Sequence, residues 1–127
     1  MGFGAPIPIL RSFDERRTRA FYLDFLGFEI GFEHRFAADM PLYMEVRRGD
    51  CALHLSEHYG DGAPGMAVRI AVDDVVAYAA ELQSRAFENA RPGAPVTQDW
   101  GMIELGVHDP SHNRLVFYTP VPPQGAG

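Results

Sequence analysis

A chain of 127 residues is sized for one domain, able to bury roughly two thirds of its unfolded surface without metal or disulfide staples. Its 46% hydrophobic content is ordinary for a soluble globular protein, and no stretch approaches the ~20 apolar residues of a membrane span. A net charge of −6, with no basic cluster beyond Arg16-Arg17 and Arg47-Arg48, argues against a nucleic-acid footprint.

Cys51 is the single cysteine, so no intrachain disulfide can form, and a reducing cytoplasm suits the chain. The opening MGFGAPIPIL lacks the basic-then-apolar order of a secretory signal. Pro6 also stands where a myristoylation signal wants Ser or Thr.

In chain order, residues 6–13 form a short apolar run opened by two prolines, which suits the start or edge of a strand. Asp14 is placed to cap a helix over 15–26, with Ala20, Phe21, Phe25 and Leu26 at helical spacing and Gly27 as the stop. Residues 28–36 alternate Phe28, Ile30, Phe32, His34 and Phe36 against Glu29, Gly31, Glu33 and Arg35, predicting a strand. Two more strands, 42–47 and 51–57, flank the loop Arg48-Gly49-Asp50, and residues 59–65 (YGDGAPG) make a midpoint loop.

The order then repeats. Residues 66–72 predict a strand, Asp73 or Asp74 caps a helix through 85, residues 90–95 (ARPGAP) form a loop and 96–98 a short strand. A hairpin over 100–118 follows, turning at Asp109-Pro110-Ser111-His112-Asn113. Its alternation puts Ile103, Leu105, Val107, Leu115 and Phe117 toward a core and Trp100, Met102 and Glu104 on the other side. The Pro/Gly-rich residues 120–127 read as a tail. The whole is strand, helix, three strands, stated twice: one domain of two βαβββ modules, about 5–58 and 66–119.

Paired βαβββ units with this punctuation resemble the vicinal oxygen chelate superfamily of glyoxalase I, extradiol dioxygenases and the fosfomycin- and bleomycin-resistance proteins. The matching stretches are PILRSFD entering a helix, AFYLDFLGF at its end, MAVRIAVDDV opening the second module, and WG followed by DPSHNRLVFY. RRGDCALHLSE, Trp100-Gly101 and the proline-started first strand make the chain most similar to the bleomycin-resistance branch. One departure stands in the turn, where His112 replaces the usual Gly of Asp-Pro-x-Gly-Asn. The resemblance implies an α+β fold, two βαβββ modules forming a curved mixed sheet with external helices, and a homodimer.

Carried over by motif position, the metal-ligand sites of the metal-dependent branches fall on Ile7, Ala67 and Val116, none of which can hold a divalent ion. No metal and no other cofactor is therefore expected. His54, His58 and Glu104 leave one alternative open, a relocated two-His, one-carboxylate site; the other reading gives His54 a hydrogen bond inside the cup and puts His58 at a solvated strand end. Cys51, beside Asp50, lacks what a reactive thiolate needs. Asp14 and Asp74 are explained as helix caps.

By resemblance to bleomycin-binding proteins the ligand groove is lined by Phe32, Tyr43, Ser56 and Trp100. Strand parity adds His54, beside Ser56, and Met102 and Glu104, beside Trp100. The expected function is metal-independent binding that sequesters a bulky, flat, cationic antibiotic of the bleomycin type, with aromatic stacking for affinity and Glu104 offsetting ligand charge. The competing expectation is a metal-dependent lyase, dioxygenase or thiol transferase. The partner is a small molecule in either case, with no nucleic acid and no membrane.

Overall fold

The structure, a computed structural model, describes residues 1–85, 87 and 92–122. The elements are β1 (Ile9–Arg11), α1 (Glu15–Arg19) running into a π-helical segment (Ala20–Phe25), β2 (Glu29–His34), β3 (Tyr43–Arg48) and β4 (Cys51–Ser56). After the midpoint loop come β5 (Ala67–Ala71), α2 (Val75–Gln83), β6 (Val96–Thr97), β7 (Met102–His108) and β8 (Arg114–Pro120). Hydrogen bonding closes them into two four-stranded mixed sheets, β1-β4-β3-β2 and β5-β8-β7-β6, each with one edge strand, β1 or β5, parallel to its neighbour and the remaining pairs antiparallel. The α+β class and the repeated βαβββ order expected from the sequence are what the chain adopts.

The chain divides into two compact units. Unit 1 comprises residues 1–66 and the turn 109–113; unit 2 comprises 67–108 and the chain from 114 onward. In unit 1 the register sets Met44 and Val46 beside Leu53 and Leu55 on one sheet face, and these are buried with Leu10, Phe21, Tyr22, Phe25 and Leu26. In unit 2, Leu105 faces Phe117 and Val107 faces Leu115, all buried, and Tyr78 of α2 meets Phe117 edge-on at 4.9 Å. Burying one face of each sheet against its helix leaves the opposite face open.

The local signals behave as their chemistry requires. Asp14 accepts a hydrogen bond from the Arg17 amide at 3.0 Å and Asp74 one from the Ala77 amide at 3.1 Å, which settles the second cap on Asp74. The expected helix over 15–26 is α only to Arg19; beyond it the Leu26 amide reaches back five residues to the Phe21 carbonyl, the wider π repeat. β1 is shorter than expected because Pro6 and Pro8 have no amide to give, although the Pro8 carbonyl accepts from His54. β8 runs to Pro120, paired with Met102, so the expected tail begins later; residues 90, 91 and 123–127 of the expected loop and tail lie outside the described residues. Among the described residues no helix is long and apolar enough to cross a membrane.

One register finding corrects the strand over 28–36. Ile30 pairs with Val46 and Phe32 with Glu45, neighbours on β3 that point to opposite faces, so Ile30 and Phe32 do not share a side. A bulge at Gly31 supplies the extra residue and turns the phase of the alternation.

Candidate functional site

On the open face of unit 1, β3 and β4 bring Tyr43 opposite Ser56 and Glu45 opposite His54, and the bulge delivers Phe32 to the same side. The Tyr43 hydroxyl and His54 Nδ1 are 2.6 Å apart, and His54 Nε2 lies 2.9 Å from Glu45 Oε2. In the neutral ring Nε2–H donates to the carboxylate and Nδ1 accepts from the phenol, so both nitrogens are used within the protein. The His54 hydrogen bond, aided by the Arg47 guanidinium, holds the Glu45 carboxyl below its ordinary range. Burial, with the charges of Asp61 and Glu45, raises the Tyr43 phenol.

Gly31 has a second use here. A Cβ on it would lie 2.3 Å from Glu45 Oε1, so the bulge glycine also makes room for the carboxylate. Phe32 lies near-parallel to Tyr43 at 6.2 Å and edge-on to His54 at 5.3 Å. Beyond them His34 and His58 meet Phe36 edge-on, extending the band of rings past Phe32, Tyr43 and His54.

On the open face of unit 2, Glu104 is the hub. Its Oε2 accepts from the Arg69 guanidinium at 2.8 Å and from the Trp100 indole N–H at 3.1 Å. The Arg69 hydrogen bond, then that of Trp100, lowers the Glu104 carboxyl. Arg69 also lies over the Tyr118 ring, 4.6 Å from its centroid. Trp100 is 63% exposed, held at its polar edge with its ring toward solvent.

The expected site residues therefore fall into two groups, Phe32, Tyr43 and His54 in unit 1 and Trp100, Met102 and Glu104 in unit 2. Ser56 joins neither as a contact surface. It is fully buried, donating to Asp61 at 2.8 Å and accepting from the His58 amide, which anchors the midpoint loop. Glu104 is not the free carboxylate expected to offset a ligand's charge, because Arg69 already neutralises it. Sequence reading missed the Glu45–His54 and Arg69–Glu104 pairings. Strand alternation sets Tyr43, Glu45 and Arg47 on one face of β3, but only cross-strand register could say which charges meet.

Two other candidates resolve into structure. Among the described residues no three His, Cys, Asp or Glu side chains gather as a metal centre would require. Burial raises the Cys51 thiol, which disfavours the thiolate a nucleophile would need. A surface hollow of about 450 Å³ in unit 1 is lined by Arg11, Phe13, Glu15, Arg35, Asp39 and Glu57 among others, and three of its charges are engaged: Arg35 with Glu15 and the Met40 carbonyl, Glu57 with the Leu42 amide.

The sequence pattern described as glyoxalase superfamily protein matches residues 1–122. The chain belongs to the glyoxalase superfamily. Among solved structures this superfamily member is similar to the bleomycin resistance determinant encoded on transposon Tn5, at 26% identity over 93% of this chain and 98% of that one, with a TM-score of 0.73. A bleomycin-binding protein complexed with bleomycin is similar at 27% identity over 92% and 98%, with a TM-score of 0.71. The bleomycin-binding protein of bleomycin-producing Streptomyces verticillus, complexed with copper(II)-bleomycin, is similar at 26% identity over 92% and 96%, with a TM-score of 0.69. No curated protein sequence matches significantly. The superfamily member is thus bleomycin-resistance-like, as its motifs imply.

Proposed function

We propose that this protein is a metal-independent binding protein that sequesters a bulky, flat antibiotic of the bleomycin type in the cytoplasm. The observation that carries the proposal is the end-to-end likeness, at 27% identity, to a protein solved with bleomycin bound. The open faces support it, since Trp100 in unit 2 and Phe32 with Tyr43 in unit 1 present ring surface that a planar ligand can stack upon.

The test uses Trp100, the only tryptophan, as its own reporter. Titration with bleomycin is expected to change the tryptophan emission to saturation. Trp100→Ala is expected to weaken binding, followed by calorimetry, by about 1–3 kcal/mol. The fold should survive, because a side chain this exposed is not a core strut. Wild-type emission indifferent to bleomycin, or an unfolded Trp100→Ala protein, would sink the proposal.

A homodimer is part of the same proposal. Met1, Phe3, Ile7 and Ile9 are all exposed at the start of the chain, apolar surface that a second copy would cover. Sedimentation is expected to give about twice the 14.1 kDa chain mass; a monomer at micromolar concentration would remove the dimer.

A further inference from the structure

The two open faces share a pattern that neither strand alone reveals. Each has one glutamate at the middle of its central antiparallel pair and one arginine bound to it, and in both the carboxylate is the inner member. The Glu45 side chain is 11% exposed against 52% for Arg47; the Glu104 side chain is 11% exposed against 49% for Arg69. What an arriving molecule meets is therefore guanidinium and ring, while the negative charge is already neutralised from within. Unit 2 has the better-built version. Trp100 and Arg69 are tied to the same oxygen of Glu104, which holds a stacking surface and a cation side by side, and Tyr118 supports the guanidinium from beneath. Of the five N–H donors of a guanidinium, Arg69 gives one to Glu104, and the group is half exposed.

We propose that the open face of unit 2 is a subsite for a planar aromatic group bearing a negative charge, with Trp100 as the stacking surface and Arg69 as the charged contact. A ring laid on the exposed indole brings its substituent to Arg69, whose planar fork matches a carboxylate. A ring bearing an ammonium meets the same guanidinium as a like charge. Glu104 is in this arrangement a positioning residue: it fixes the indole edge and orients Arg69 without touching the ligand. The inference rests on the open face being a ligand surface, not on bleomycin being the ligand.

The probes are 2-naphthoate and 2-naphthylmethylammonium, titrated separately while the NMR resonance of the single indole N–H is followed. The wild type is expected to bind naphthoate about fivefold to tenfold more tightly than the ammonium, the difference of one charge-assisted contact at a half-exposed site. In Arg69→Met the order should invert, because Glu104 is then an uncompensated carboxylate beside the indole. In Glu104→Gln the amide oxygen still accepts the indole N–H while Arg69 loses its counter-charge, so naphthoate should bind more tightly than to wild type. Glu104→Gln decides the matter alone if Arg69→Met fails to fold, which the dispersion of the amide spectrum shows. Equal or tighter binding of the ammonium by wild type, an unchanged preference in Arg69→Met, or no indole shift with either probe overturns the subsite. Bleomycin binding without a naphthoate preference removes this inference and leaves the proposed function; the reverse outcome removes bleomycin and leaves the subsite.

Discussion

Asp109→Ala is expected to cost about 3–5 kcal/mol of stability, a fall in Tm of about 10 °C or more, although residue 109 lies in a turn. The reason is what the carboxylate holds. It is 6% exposed, and it accepts from the Ser111 amide at 2.8 Å, the Asn113 amide at 2.9 Å, Asn113 Nδ2 at 2.9 Å and the Tyr22 hydroxyl at 2.7 Å. Truncation strands donors in a region where Tyr22 and Asn113 are fully buried. Burial, then the nearby Asp109 charge, puts the Tyr22 phenol well above its ordinary value, so it remains a donor throughout. Tyr22→Phe removes one of the four bonds and should cost about 1.5–3 kcal/mol. In the double variant the two losses should not add, since they share a contact. Thermal unfolding of the three variants measures this, and a loss under about 1 kcal/mol for Asp109→Ala would show that the buried network is not what holds the turn. Asn113 extends that network, donating to the Arg11 carbonyl at 2.8 Å, while Ser111 accepts from the Phe13 amide.

Gly62→Ala is the second large effect, about 2–3 kcal/mol. Gly62 has φ +63°, and a Cβ there would lie 2.7 Å from the Arg11 amide nitrogen and 3.0 Å from the Ile9 carbonyl oxygen, both backbone atoms of β1. An edge strand held by a three-residue ladder cannot move aside without loosening from β4, and it carries Ile9 and Arg11 on the face of His54 and Ser56. Gly49 is the control. Its φ is +57° but nothing lies within 4 Å of the same added atom, so Gly49→Ala should show only the left-handed strain, about 1 kcal/mol. Chemical unfolding of the pair separates strain from overlap; equal losses would mean that the close approach of the loop to β1 contributes nothing.

The hairpin turn shows how far local chemistry reaches. His112 occupies the position where the related pattern has glycine, and it takes φ 70°, the left-handed conformation that a glycine would have adopted freely. The turn geometry is thus kept by the bonds that Asp109 accepts from the Ser111 and Asn113 amides within the turn, and by its long-range bond from the Tyr22 hydroxyl, rather than by residue preference at 112.

The sequence by itself determined the repeated βαβββ order, the two aspartate caps, the buried faces of the hairpin strands and the exposed position of Trp100. Each follows from a periodicity or a short-range hydrogen bond that neighbouring residues settle among themselves. Only the tertiary structure decided that Gly31 would reverse the phase of β2, that Ser56 would turn to Asp61 instead of a groove, and that Glu45 and Glu104 would each be neutralised by an arginine on its own sheet. The Glu104 outcome depends on which residue of one strand stands near which residue of another. Arg69 and Glu104 are 35 positions apart and meet across β8, a distance at which alternation specifies the face but not the partner.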